Sequence, residues 1–213
     1  FNNDLHTLIV NTIKQHKRII FNGNGYDDAW TKEAEKRGLL NLRTTPDCLP
    51  YLLHEKNIEL FTCHKVFSET ELRSRFEILL ENYCKIINIE ALTMLDMVKK
   101  DILPAVSRYT GDLAGAAMSK KSFIACADCS YETETVERLS DLTGKVYTST
   151  KTLEKAVDDL KSIQGAHETA KGFKDVVIPA MNELRKYVDE LETITSAEYW
   201  PYPSYGDLLF GVK

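Results

Sequence analysis

From Ser68 to Leu113 the apolar side chains return every three or four residues with one proline among them, a spacing no strand can use, because strand faces alternate every second residue. Leu72, Phe76, Leu79, Leu80, Tyr83, Ile86, Ile87, Leu92, Leu95, Val98, Ile102, Val106, Tyr109 and Leu113 read as one apolar face of a long helix. Ser68-Glu69-Thr70-Glu71 gives it a start, since the Ser68 hydroxyl and the Glu71 carboxylate can each accept from a backbone N–H that the first turn leaves without a partner. Pro104 is expected to kink this helix without necessarily ending it, and Gly111 and Gly115 to weaken its end. Arg73 and Arg75 stand on it, where ion pairing is the simplest role for them.

Two further stripes follow. Leu139, Leu142, Val146, Leu153, Val157, Leu160 and Ile163 form one, and Phe173, Val177, Met181, Leu184, Val188 and Leu191 the other. Gln164-Gly165-Ala166 between them is short enough for an antiparallel hairpin, and Pro179 should bend the later helix. The expected fold is mainly α: a three-helix bundle made of an antiparallel hairpin and a kinked long helix, with a smaller helical N-terminal part. Apolar residues at this spacing are far more often a core than a cofactor box, and the Glu and Lys residues between them a solvated face.

In the N-terminal part, Leu5, Leu8, Ile9 and Ile13 predict a helix that follows the potential caps Asn2 and Asn3 and ends near His16. The stretch RIIFNGNGYDDAW comes next, an apolar pair, a Gly-rich turn and a helix start in the order that cradles phosphates. The third glycine of a dinucleotide loop is missing, and Gly25 is followed by Tyr26, Asp27 and Asp28, whose carboxylates would repel a phosphate. Asn22, Gly23, Asn24 and Gly25 therefore read as a turn using Asn and Gly for positive φ, with Asp27 or Asp28 capping a helix that stops before Gly38. Thr45-Pro46 is another helix start, and the region from Pro50 to Phe67 reads as irregular.

A chain of 213 residues with 43% apolar content can build a core, as one large domain or two small ones. Its 27 basic and 32 acidic residues form no basic stripe, so neither nucleic acid nor an anionic membrane is an expected partner. No transmembrane segment or signal peptide is recognisable, so the expected location is cytoplasmic. Phe1 in place of an initiator Met suggests a processed chain or an excised piece. Five scattered cysteines fit reduced thiols better than a disulfide framework. Cys126-Ala-Asp-Cys129 alone has ligand-like spacing, but no second pair accompanies it and no βαβ pattern surrounds it, so ordinary loop thiols are expected. None of His6, His16, His54, His64 and His167 belongs to a catalytic or metal motif, and all five read as surface or structural residues.

The C-terminal stretch YWPYPSYGDLLFGVK crowds Tyr199, Trp200, Tyr202, Tyr205 and Phe210 around Pro201 and Pro203. That much aromatic area should dock on something, either as a strap across its own bundle or as an interface with another domain or subunit. Trp200, Tyr202, Tyr205 and Phe210 are the candidate docking residues.

Four ordered blocks carry a family resemblance: KRIIFNGNGYDDAWTKEAEKRGLLNLRTT, LPYLLHEKNIELF, FSETELRSRFEILLENYCKIINIEALTMLDMVKKDILPAV and YWPYPSYGDLLF. Together they resemble the C-terminal part of type III glutamine synthetase across nearly the whole chain, least so from Ala116 to Tyr131 and in much of the second bundle helix. Asn22 to Gly25 then resemble a family-signature turn. The resemblance implies an ATP-dependent ligase that joins ammonia to glutamate through a γ-glutamyl phosphate, with Mg²⁺ or Mn²⁺ neutralising the transferring phosphate. It also implies a homo-oligomer of stacked rings resembling a dodecamer.

The family's metal-binding glutamates and its ATP- and glutamate-binding arginines precede the matched region, so no catalytic, cofactor or metal residue carries over and this piece alone is expected to be inactive. Residues 1–67 are then expected to be the tail of a catalytic domain, 68–195 a C-terminal bundle that serves packing and assembly, and 196–213 a docking tail. Expected partners are the chain's own upstream catalytic domain and neighbouring subunits. Two other readings differ in class: a freestanding helical-bundle adaptor that uses the same stripes for partner helices, and a metal- or redox-responsive module centred on Cys126 and Cys129.

Overall fold

The computed structural model describes residues 1–211, which pack as two compact units, Phe1–Cys48 and the residues from Leu49 onward. All regular structure among the described residues is helical.

In the first unit, α1 spans Asn2–Gln15, α2 Asp28–Lys36 and α3 Thr45–Cys48, with a 3₁₀ turn at Lys17–Ile19. The Asp27 carboxylate caps α2 by accepting from the Ala29 N–H, and Gly38, with φ of +78°, closes the other end. There Gly38 N–H donates to Glu35 O and Leu39 N–H to Ala34 O, the paired bonds that a left-handed residue after a helix makes possible. Of the apolar pair, Ile19 completes the 3₁₀ turn and Ile20 follows it in extended conformation.

The second unit begins with a 3₁₀ segment at Leu49–Leu53 and then α4, Glu55–Cys63. A regular helix thus lies inside the region expected to be irregular. Its cap is a residue type that gives no sequence signal: His54 Nδ1 accepts from the Lys56 N–H, and the Asn57 side chain donates to Tyr51 O at 2.5 Å.

α5, Glu69–Met97, opens on the expected reciprocal cap, with Glu71 N–H donating to Ser68 Oγ at 3.3 Å and Ser68 N–H to Glu71 Oε2 at 2.7 Å. Arg73 pairs with Glu69, whereas the Arg75 guanidinium sits 4.3 Å from the centre of the Phe67 ring, a cation–π contact and not the ion pair expected. The helix then passes through a π-helical turn, Val98–Ile102, into α6, Leu103–Phe123. The reason for that turn is Pro104, which has no N–H and whose ring would collide with the carbonyl four residues back in α geometry. The wider turn, in which Leu103 N–H donates to Val98 O, absorbs the misfit and the helix continues. Past Gly111 and Gly115 the helix runs on to Phe123: α6 packs along the following helix, and an ion pair between Lys120 and Glu132 ties its last turn there.

α7 spans Ser130–Leu160, α8 Ala166–Gly172 and α9 Ile178–Ile194. The turn between α7 and α8 uses Gly165 at φ of +94°, and α7 and α9 pack against each other as the expected hairpin. A second π-helical turn, Phe173–Val177, ends two residues before Pro179, repeating the solution found before Pro104. Gly172 lies so close to α7 that a Cβ there would fall 2.3 Å from Leu160 Cδ2. The core joins Leu139, Val146 and Leu153 of α7, Val177, Leu184 and Leu191 of the third stripe, and Ala91, Val98 and Val106 of the long helix.

Two details depart from the sequence reading. Ile163 lies past the end of α7 and is exposed. The apolar residues of α5 do not form one face: Leu72, Leu80 and Leu95 are buried, while Leu79, Ile86 and Leu92 join Ile78 and Ile89 in solvent.

Candidate functional site

The turn at Asn22, Gly23, Asn24 and Gly25 is built from its flanks. Phe21 stacks on Trp30 with ring centres 4.3 Å apart and planes at 29°. Arg37, in the residue after α2, reaches back to donate from Nη1 to the carbonyls of Ile20 at 2.6 Å and Arg18 at 3.3 Å, while its Nε donates to Glu33 at 2.6 Å. The Arg37 guanidinium hydrogen bond holds the Glu33 carboxyl below its usual range. The Tyr26 N–H donates to Asn24 Oδ1, which folds the turn.

Neither Gly23 nor Gly25 has positive φ, so the conformational reason expected for them does not hold. Gly23 is needed for space, because a Cβ there would lie 2.4 Å from Phe21 Cζ. Asn22 and Gly25 are exposed. Asp27 caps the α2 N-terminus and Asp28 stands in its first turn, so carboxylates occupy the place a phosphate would take.

The aromatic tail divides at Pro203. Tyr199 donates from its hydroxyl to Asp112 at 2.6 Å and packs its ring 5.1 Å from that of Tyr109. The Tyr202 hydroxyl donates to Asp101 at 2.9 Å, and Trp200 and Tyr202 lie half-buried on the bundle core. Burial, aided by the Asp101 hydrogen bond, pushes the Tyr202 hydroxyl up to about 12; the bond to Asp112 raises that of Tyr199. Residues 199–202 are therefore a strap on their own bundle.

After Pro203 a new short helix, α10 (Tyr205–Phe210), starts on a Ser204–Asp207 capping box. It leaves Tyr205 84% and Phe210 80% exposed, with Leu208 and Leu209 also in solvent. Trp200 and Tyr202 are thus brought together on the bundle, whereas Tyr205 and Phe210 are not; Val212 and Lys213 at the end of the tail lie outside the described residues.

All five thiols are free. Cys126 is exposed, but Cys129 is buried, with its Sγ 3.7 Å from Ala117 O, so only one of the pair is an ordinary loop thiol. Beside it Lys120 pairs with the buried Glu132, and that hydrogen bond lowers the Glu132 carboxyl. Among the described residues no three His, Cys, Asp or Glu side chains are grouped so that they could hold a metal ion. No helix among them is long and apolar enough to cross a membrane.

Two apolar surfaces were not separable from core by periodicity. The first is the α1 stripe: Leu5, Leu8, Ile9 and Ile13 are all exposed, and no residue of α1 is buried. The second is a groove of about 430 Å³ between α5 and α9, walled by Ile89, Met94, Met97, Val98 and Ile102 on one side and Met181, Leu184 and Val188 on the other, with Glu90, Arg185 and Asp189 at its rim. Ile89 and Met97 are exposed on it, off the face of α5 that the core buries.

A family model for the glutamine synthetase C-terminal domain matches residues 4–121. A glutamine synthetase of Butyrivibrio fibrisolvens is 42% identical over 209 residues, which cover 97% of this chain and 29% of that protein. A type-3 glutamine synthetase of Dictyostelium discoideum is 37% identical over 207 residues, 95% of this chain and 28% of that protein. A glutamine synthetase of Bacteroides fragilis is 27% identical over 199 residues, 90% and 27% respectively. The chain thus spans under a third of the length of the curated relatives it matches.

Proposed function

The chain belongs to the glutamine synthetase C-terminal domain family, and on that premise we propose that it is the C-terminal part of a glutamate–ammonia ligase whose own task is packing and assembly. The reaction is the ATP-dependent joining of ammonia to glutamate through a γ-glutamyl phosphate, in a cytoplasmic homo-oligomer of stacked rings resembling a dodecamer. ATP and Mg²⁺ or Mn²⁺ belong to parts of the enzyme outside this chain. Residues 1–67 form the tail of the catalytic domain, 68–195 the bundle and 196–213 a docking tail.

The observation that carries the assembly role is α1. Four aliphatic side chains on one helical stripe stand in solvent, and fully burying such a side chain is worth about 1.5–3 kcal/mol. A stripe of that kind is the shape of a surface meant to be covered, and the upstream catalytic domain or a neighbouring subunit is the partner that covers it.

The test uses the full-length protein carrying this chain, assayed for glutamine formation from glutamate, ammonia and ATP with either metal, and sized under native conditions. Unmodified protein should form glutamine in a large ring, and Leu8→Asp with Ile9→Asp should break the assembly and lower activity with it. A protein that forms no glutamine overturns the ligase reading. Glutamine formation and ring size unchanged by the double substitution overturn the role given to α1.

A further inference from the structure

From the geometry of the tail we infer that the groove between α5 and α9 is the seat of α10, which closes over it as the continuation of the strap within the same chain. The inference stands apart from the ligase reading and concerns how the bundle completes its own surface.

Position comes first. Met94, Met97, Asp101 and, three turns further, Asp112 recur on one face of the continuous helix 69–123. Met94 and Met97 wall the groove, whereas Asp101 and Asp112 receive the hydroxyls of Tyr202 and Tyr199. The strap therefore runs along this face toward the groove, and it is pinned where the groove begins, next to Ile102. Tyr205 lies three residues beyond Tyr202, a reach of roughly 10 Å. The groove follows the long helix from Ile89 to Ile102, roughly 20 Å, and the six residues of α10 need roughly 9 Å of it.

Chemistry agrees with position. Tyr205, Leu208 and Leu209 stand at i, i+3 and i+4, the spacing by which an amphipathic helix lays an apolar face into a groove. Met94, Met97 and Met181 give that groove unbranched, polarizable walls that adapt to the side chains they receive. The tether decides which copy supplies the helix. A short linker holds α10 at an effective concentration in the millimolar range, so its own groove is favoured over a neighbour's.

The experiment is a cysteine pair, Met97→Cys with Leu209→Cys, in the full-length protein under mild oxidation. Disulfides are located by peptide mass mapping, and chains are sized by denaturing electrophoresis without reductant. Both positions are at least partly exposed, so folding is not at stake. A disulfide between residues 97 and 209 in a chain of monomer mass is the expected result. Its absence overturns closure, and its appearance only between chains overturns closure within one chain. A second readout uses Leu208→Asp with Leu209→Asp: the methyl resonances of Met97 and Met181 should shift, and unmoved resonances overturn the proposal.

Discussion

Tyr202 shows how much one hydroxyl can fix. Its bond to Asp101 pins the strap, and burial together with that acceptor raises its pKa from 10 to about 12 in the folded chain. The folded state thus favours the protonated hydroxyl more than the unfolded chain does, so this stabilisation is fully present below about pH 10 and is lost as pH climbs from about 10 to about 12. Tyr202→Phe should cost about 1 kcal/mol near neutral pH, the size of one partly exposed hydrogen bond. Melting curves should show the gap between wild type and variant narrowing over that alkaline window; a gap independent of pH would mean the hydroxyl is not the pin. Gly23 teaches the complementary lesson about legibility. The turn itself could be placed from Asn and Gly, but the reason for glycine could not, because it depends on Phe21 folding back over the backbone as it stacks on Trp30. The His54 cap was hidden for a similar reason, since a histidine accepting through Nδ1 at a helix start has no fixed spacing to search for.

Elements were the most legible level, and their faces the least. The capping box, both later stripes, the Gly165 hairpin and the passage of the long helix through Pro104 could all be placed, because each depends on local spacing or on backbone chemistry. The π-helical turns before Pro104 and Pro179 could not, since residues 98–102 and 173–177 continue the apolar period as an α-helix would. Periodicity also says that a residue is apolar at helical spacing and not which neighbour covers it. Leu79 and Leu80 show the consequence, adjacent leucines that are 46% and 0% exposed. Leu80 packs with Leu49 and Ala170, elements distant in sequence. Leu80→Ala should therefore destabilise the chain by about 2–5 kcal/mol, and Leu79→Ala by about 0.5 kcal/mol or less. Urea unfolding of the two variants makes the comparison, and equal costs would mean that α5 has one apolar face after all.

At the scale of the whole molecule, burial is unevenly distributed. Most large buried side chains of the second unit form one core through α5, α6, α7 and α9, with a smaller cluster around Leu80, whereas α1 buries nothing and α2 only Ala34. Local opening is easiest where few apolar contacts resist it, so amide exchange should follow this division. A helix as short as α1, 14 residues with no side-chain cap, is marginal in water without tertiary support. In the chain of residues 1–213 alone, the amides of α1 should exchange orders of magnitude faster than those of α7 around Val146 and Leu153. In the full-length protein, burial of Leu5, Leu8, Ile9 and Ile13 against a partner surface should raise α1 protection toward that of the bundle, while α7 changes little. Exchange read by mass spectrometry on the two forms separates the possibilities. Strong α1 protection in the short chain would show that the stripe already has a cover, and equally weak protection in both forms would show that the larger protein supplies none. The comparison isolates the physical claim beneath the assembly role, which is that this helix owes its stability to a surface the chain does not itself provide.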